Sequence, residues 1–180
     1  MTDMLERRRS IRLANYDYSQ AGAYFITVCT FNRQLLFGEI ADSMMLQNKL
    51  GEAVAATWSA IPEHFPHTLL DAFVVMPNHV HGVIVIPVGA QHAAPSSRFA
   101  VPSGSLAAIV RSFKSAATKR INDFRGTPGE PVWQRNYYEH VVRTEENLDR
   151  TREYIVGNPA LWEKDDLNPR ARAQRAAPLR

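Results

Sequence analysis

Two apolar runs separated by only two residues constrain the fold of this chain more than any other feature. Residues 69–76 (LLDAFVVM) and 79–86 (HVHGVIVI) are rich in β-branched residues and flank Pro77-Asn78, a dipeptide typical of turns. Two strands with so short a connection are expected to pair as an antiparallel hairpin. Because both runs are strongly apolar, we expect this hairpin to lie at the centre of a sheet.

The remaining pattern mixes strands with helices. β-Branched and aromatic segments predict three more strands, over residues 23–31, 35–40 and 137–143. The second of these is predicted to be the antiparallel partner of the first. Apolar periodicity and capping residues predict three helices, over 46–61, from a Ser105 cap to about residue 121, and over 145–157. Residues 87–104 contain three prolines and are predicted to form a long loop.

This order of elements favours a ferredoxin-like α+β fold, in which an antiparallel sheet carries helices mainly on one face. The chain has 180 residues, of which 45% are hydrophobic and 22% charged, enough for one buried core. No apolar run approaches the roughly 20 residues of a membrane span, and we expect a cytoplasmic protein. Cys29 is the only cysteine, which excludes an intramolecular disulfide and a cysteine-clustered metal site.

Charge divides the chain into unequal regions. The net charge is +3, but residues 13–97 hold six acidic and only two basic residues, whereas basic residues are in excess from 98 onward. We predict a basic N-terminal arm at 1–15, one domain at 16–162, and a basic, mobile tail at 163–180. The basic excess of the second half indicates an acidic partner such as nucleic acid on that side.

His79 and His81 stand two positions apart at the start of the second apolar run. Because successive side chains of a strand point to opposite faces, both imidazoles lie on one face, where they can bind one metal ion. For a bare His-x-His pair, two unrelated polar residues at a strand edge are the commoner explanation. The context favours the metal site, since a central strand is not expected to begin with two imidazoles that lack partners.

Tyr154 and Asn158 lie four residues apart on the last predicted helix and therefore share a face. Taken alone, Tyr154 is expected to be a packing residue with a solvated hydroxyl. Asn158 alone is expected to be a helix C-cap before Pro159.

Three motifs together are far more specific than these pairs. They are MPNHVHG at 76–82, VWQRNYYEH at 132–140 and YIVGNP at 154–159. In order and spacing they resemble the REP-associated tyrosine transposases, which are single-tyrosine members of the HUH transposases, and the resemblance covers about residues 24–162. It implies a metal-dependent single-strand DNA endonuclease and strand transferase that acts on hairpin-forming repeat DNA through a covalent 5′-phosphotyrosine, as a monomer or a homodimer.

The resemblance also implies roles for individual residues. His79 and His81 become ligands of a divalent metal, Mg²⁺ or Mn²⁺, Tyr154 becomes the nucleophile, and Asn158 becomes the third ligand. Many relatives outside the REP-associated group carry glutamine where this chain has the shorter Asn158. Two other functions remain open, a non-catalytic nucleic-acid-binding module on the same sheet and a His-x-His metal phosphoesterase.

Basic and aromatic residues of the second half predict the DNA contacts. The predicted phosphate-binding residues are Arg111, Lys114, Lys119 and Arg120, and the predicted contacts of the aromatic segment are Trp133, Arg135 and Tyr138. A place in the core is an equally good explanation for Trp133 and its neighbour Tyr137. His140 is interpreted as a structural histidine.

Overall fold

A computed structural model describes residues 21–87 and 104–171. In chain order its elements are β1 (Gly22–Cys29), β2 (Gly38–Ala41), β3 (Met44–Gln47), α1 (Lys49–Ser59), α2 (Ile61–His64), β4 (Leu69–Met76), β5 (His79–Ile86), α3 (Leu106–Arg125), β6 (Tyr138–Val142) and α4 (Glu145–Gly157). Short 3₁₀ segments cover Phe31–Arg33 and Pro159–Lys164. Within the described ranges, no helix is both long and apolar enough to cross a membrane.

Four antiparallel strands form the main sheet in the order β4-β5-β1-β6. The predicted hairpin is confirmed, and β5 is a central strand between β4 and β1, with β4 at one edge. The register places His79 opposite Cys29 and His81 opposite Thr27 on β1. The predicted α+β class is therefore confirmed.

The sheet buries one face against α1 and α3. The buried residues there include Tyr24, Ile26, Val80 and Ile84, all completely covered. Gly82 of β5 is required on this face because a Cβ at that position would overlap the Trp58 ring of α1. Packing on this face fixes the strands that carry the two histidines.

The opposite face is covered by α4. A smaller apolar cluster of Val83, Val142, Leu148 and Ile155 joins this helix to the sheet. Thr144 caps the helix by accepting a hydrogen bond from the Asn147 amide at 3.2 Å. Two of the three long helices thus share a face, as predicted, while the third lies over the face to which the histidines point.

The predicted pairing of residues 35–40 with β1 is wrong. Both edges of β1 are occupied, by β5 and β6, and β2 pairs instead with β3 in a separate hairpin. Its two turn residues, Asp42 and Ser43, have φ angles of 50° and 62°, which suit a tight hairpin turn. The first helix accordingly begins at Lys49, because the Asn48 side chain caps it by accepting the Leu50 and Gly51 amides.

The fold continues past the predicted domain boundary at residue 162. Asn168 and Ala171 are each 5% exposed, so residues 163–171 pack against the domain instead of beginning a tail. The predicted arm at 1–15, most of the predicted loop at 87–104 and the end of the predicted tail lie outside the described residues.

Candidate metal and DNA-processing site

Strand β5 directs His79 and His81 toward the face that α4 covers. Their side chains are 0% and 2% exposed, and their Nε2 atoms lie 3.0 Å apart. Asp165 follows the last 3₁₀ segment and brings its Oδ2 to 3.7 Å from His79 Nε2. One ligand atom from each of the three residues lies within 4.8 Å of the others. Two imidazoles and a carboxylate thus converge on one point.

The other nitrogen of each imidazole is held by a neighbouring polar side chain. Asn78 Oδ1 lies 2.8 Å from His79 Nδ1, and Thr27 Oγ1 lies 2.8 Å from His81 Nδ1. The Asn78 amide group donates to the carbonyl of Leu167 at 2.8 Å, which assigns its other atom as the acceptor oxygen. His79 Nδ1 therefore carries the proton, and the lone pair of its Nε2 faces the cluster.

Burial keeps both imidazoles neutral. It lowers the pKa of His81 to about 4, and it also lowers the pKa of His79, where His81 and Arg33 add to the effect. A neutral imidazole is the form that ligates a metal ion. Burial also raises the pKa of Asp165.

Helix α4 brings Tyr154 and Asn158 to the same cluster. The Tyr154 hydroxyl lies 3.4 Å from His81 Nε2, and its side chain is 45% exposed. Its pKa is raised, chiefly by burial, against the opposing effect of a hydrogen bond with Asn158. Asn158 is itself 2% exposed. A partly accessible phenol and a buried amide therefore stand together beside the imidazoles.

The residues of this cluster fit a divalent cation. Asn158 Oδ1 and Asp165 Oδ2 are buried acceptors without a hydrogen-bond partner among the described residues, an arrangement that is costly unless a positive group satisfies them. Adjacent donors of an octahedral ion, each about 2.1 Å from it, lie about 3 Å apart, as the two Nε2 atoms do. The mixed nitrogen and oxygen set suits Mn²⁺ better than Mg²⁺, which prefers oxygen alone.

A cleft of about 1260 Å³ opens beside the cluster. His81, Tyr154 and Asn158 form part of its wall. Its wall also holds basic residues from several elements, which are Arg33, Arg111, Lys114, Arg135 and Lys164. The structure therefore brings Arg111, Lys114, Arg135 and Tyr138, all predicted DNA contacts, to the same cleft as the tyrosine.

Other predicted DNA contacts lie elsewhere. Trp133 is 7% exposed and packs between the rings of Phe37 and Phe113 in the core, so the core explanation applies to it. Lys119 points to solvent and pairs with Asp123 at 2.6 Å. Neither Lys119 nor Arg120 lines the cleft.

Lys114 is held by backbone carbonyls, whereas His140 lies at the surface. Burial lowers the pKa of Lys114, and its ammonium donates to the carbonyls of Gln134 and Arg135 at 2.7 and 3.1 Å. Lys114 therefore supports the loop that forms the cleft wall. His140 is exposed on β6 and lines a small groove beside Tyr154.

Sequence reasoning missed four residues of the site, Thr27, Arg33, Asn78 and Asp165. Asn78 was detectable, because it directly precedes the His-x-His pair. Asp165 carried no such signal, since it lies in a segment whose composition resembles a tail.

Sequence comparisons find relatives that match most of this chain. No family model matches the chain. An uncharacterized protein of Haemophilus influenzae is 42% identical over 171 residues, which cover 91% of this chain and 94% of that protein, so the two chains belong to one family. A second Haemophilus influenzae protein, assigned by name alone as a REP-associated tyrosine transposase, is 24% identical over 153 residues, covering 82% of this chain and 76% of that protein.

The fold is also similar to that of a solved REP-associated tyrosine transposase bound to a REP hairpin. The TM-score is 0.57 at 19% sequence identity, and the match covers 83% of this chain and 73% of the other. The resemblance to REP-associated tyrosine transposases that the three motifs indicated is therefore confirmed, in sequence by one relative and in fold by this structure.

Proposed function

We propose that this protein is a metal-dependent single-strand DNA endonuclease and strand transferase that acts on hairpin-forming DNA. The observation that carries the proposal is the 3.4 Å separation between the Tyr154 hydroxyl and His81 Nε2. This distance supports the proposal because a partly exposed phenol lies beside a cluster suited to a metal, in a cleft with basic walls. A buried pair of neutral imidazoles and two unpartnered oxygens are not expected of a module that only binds nucleic acid.

His79, His81, Asn158 and Asp165 would together hold the cation, Mn²⁺ or Mg²⁺. When bound, the cation supplies Lewis-acid polarisation of a phosphodiester and stabilises the charge that develops on it. Asn78 and Thr27 orient the two imidazoles, and such supporting contacts commonly change metal affinity when they are removed. Asp165 contributes a negative charge that a set of two imidazoles and one amide lacks.

Tyr154 is the proposed nucleophile. Its oxygen attacks the phosphorus, the bond to the 3′-oxygen breaks, and the products are a 5′-phosphotyrosine and a free 3′-hydroxyl. The raised pKa keeps the phenol protonated at neutral pH, so the phenol loses its proton as the attack proceeds, and the leaving 3′-oxygen takes one up. A second 3′-hydroxyl can reverse the step, and strands are then joined without ATP because the phosphoester bond is conserved.

The geometry favours a reaction within one chain, since Tyr154 and both histidines meet in a single copy. Mixing a His79→Ala chain with a Tyr154→Phe chain tests this directly. We expect the mixture to remain inactive. Recovery of cleavage would instead show that the tyrosine of one chain works with the histidines of another.

Hairpin DNA is the proposed substrate because the structural relative is bound to a REP hairpin and because basic residues line the cleft. The test is to incubate the protein with a labelled single-stranded hairpin oligonucleotide and Mn²⁺, then run a denaturing gel. With the label on the 3′ end, which a 5′-phosphotyrosine retains, we expect a labelled band that migrates above the free protein, absent with Tyr154→Phe, while that variant still binds the DNA. Binding without cleavage or a covalent band would instead indicate a non-catalytic module. Cleavage without a covalent band would indicate a metal phosphoesterase.

A further inference from the structure

We propose that Arg33 binds the DNA phosphate that Tyr154 attacks. The proposal rests on the proposed function and adds to it the group that holds the reacting phosphate independently of any cation. Three observations carry it, namely the backbone at Arg33, the partners of its guanidinium, and its connection to His79.

The backbone at Arg33 is held in an unfavourable conformation. Asn32 and Arg33 have φ angles of 51° and 54°, and two successive non-glycine residues in this left-handed region are costly. Local bonds maintain the turn, since the Arg33 amide donates to Thr30 O at 3.1 Å and Thr30 Oγ1 donates to Gln34 O at 2.8 Å. Such strain persists only where the surrounding structure fixes it, so the turn holds Arg33 in one position beside the cleft.

The guanidinium of Arg33 lies in the cleft, and most of its N–H groups are available as hydrogen-bond donors. The side chain is half-buried and lines the cleft that also contains His81 and Tyr154. Among the residues that the structure describes, it donates one hydrogen bond, from Nη1 to the backbone carbonyl of Asp166 at 3.1 Å. A guanidinium has five N–H donors in a planar fork, so most remain available to an anion, and a phosphate matches that fork with two parallel bonds.

Arg33 is tied to the metal-binding cluster by a single side chain. Asn78 donates from Nδ2 to the Arg33 carbonyl at 3.3 Å, while its Oδ1 accepts from His79 Nδ1 at 2.8 Å. The positive charge of Arg33 also contributes to the lowered pKa of His79. The position of the Arg33 backbone is thus fixed relative to the imidazoles.

Three other basic residues of the cleft, Arg111, Lys114 and Arg135, are less suited to this role. Lys114 is engaged by two backbone carbonyls, and Arg111 and Arg135 are exposed at the cleft wall. Arg111 and Arg135 are better placed to bind the strand on either side of the reacting phosphate.

The test removes the charge of one phosphate and measures whether the resulting loss of DNA affinity depends on Arg33. The cleaved position is first mapped with wild-type protein and Mn²⁺. A hairpin oligonucleotide with a neutral methylphosphonate at that position is then compared with the unmodified one, in EDTA, using Tyr154→Phe protein so that no cleavage occurs. The matched variants, in the same background, are Arg33→Gln, Arg33→Lys and Lys119→Gln, the last of which removes a positive charge outside the cleft.

With Arg33 present, the methylphosphonate is expected to weaken binding about tenfold, the effect of losing one charge-assisted contact. Arg33→Gln should weaken binding of the unmodified DNA by a similar factor and abolish the further loss. Arg33→Lys should retain part of the loss of affinity that the methylphosphonate causes, and Lys119→Gln should retain all of that loss. A methylphosphonate one position away should give the same result with and without Arg33.

The proposal is overturned if Arg33→Gln, with a thermal unfolding midpoint close to that of the parent protein, loses as much affinity on methylphosphonate substitution as the parent does. It is overturned equally if neither protein responds to the substitution. Failure of the proposed function is a separate result, because wild-type protein would then form no covalent product and no cleaved position would be mapped.

Discussion

The two faces of the main sheet are built from the same strands but are held together in different ways. On β5, Val80 and Ile84 point to α1 and α3 and join a core of 20 buried apolar residues among those described. His79 and His81 point to α4, where the apolar cluster has four buried members. Because successive side chains of a strand point to opposite faces, β5 carries the polar site on one face and buried apolar residues on the other.

The two faces show how buried polar groups are kept in place. On the first face, packing of apolar side chains fixes each position. On the second face, the fixed groups are those with a hydrogen-bond partner, as His79 has in Asn78 and His81 has in Thr27. The atoms without a partner, Asn158 Oδ1 and Asp165 Oδ2, lie where we propose the cation binds.

The largest effect is expected from His81→Ala, with His79→Ala as its companion. Because each variant removes a proposed ligand, DNA cleavage should fall at least about a hundredfold, together with its dependence on Mn²⁺. The measurement is the initial rate of cleavage across a Mn²⁺ titration. A fully active double variant would refute the proposed metal site.

Ile84→Ala changes the same strand on its other face, and it should lower the stability of the protein without lowering the activity of the folded molecules. Ile84 is completely buried, so the change should lower the free energy of unfolding by about 2–5 kcal/mol. The folded molecules should cleave at the wild-type rate. Urea unfolding and the cleavage rate per folded molecule, measured on both variants, give the comparison. Equal losses of activity in Ile84→Ala and His81→Ala would mean that the two faces do not have separate roles.

Asn78→Ala should weaken Mn²⁺ binding by about 10- to 100-fold, because the orientation and the tautomer of His79 are then no longer fixed. Calorimetric titration with Mn²⁺ measures this without DNA. Asn122→Ala is the matched control, since Asn122 is also buried and donates to a carbonyl, that of Glu130, away from the site. An unchanged affinity in Asn78→Ala would remove Asn78 from the site.

The smallest effect is expected at the ion pair that joins α4 to β4. Arg152 donates to both carboxylate oxygens of Asp71, at 2.9 and 2.6 Å, and these hydrogen bonds lower the pKa of Asp71. Asp71→Asn should lower the thermal unfolding midpoint by a few degrees at most, because the pair is partly solvated.

The sign of the pH dependence follows from the lowered pKa of Asp71. The stabilisation is present above the unfolded-state value of 3.8 and is lost as pH falls through the lower folded-state value. Thermal unfolding of wild type and Asp71→Asn should therefore differ at neutral pH and converge in strong acid. Glu146→Gln, which removes the exposed partner of Arg150 on the same helix, should have no effect. A difference that persists in strong acid would rule out the ion pair as its cause.

The sequence was informative wherever a local pattern decided the structure. The apolar runs around Pro77-Asn78 and the spacing of Tyr154 from Asn158 were sufficient to predict the hairpin and the residues that α4 presents to it. Periodicity alone did not predict the pairing of β2 with β3. The apolar repeat that predicts a helix starts at residue 46, but the Asn48 cap starts the helix only at Lys49, and the residues before the cap form β3. Asp165 was missed because its contact with His79 spans 86 residues of sequence.

If Tyr154 is the nucleophile, it becomes covalently joined to DNA. Trypsin separates the candidates, because residues 153–164 (EYIVGNPALWEK) contain Tyr154 as their one tyrosine, whereas residues 136–143 (NYYEHVVR) contain Tyr137 and Tyr138. After reaction with hairpin DNA and Mn²⁺, nuclease trimming and tryptic digestion, mass spectrometry should find a 5′-linked nucleotide on the first peptide. A nucleotide on the second peptide, or on neither, would rule out Tyr154 as the nucleophile.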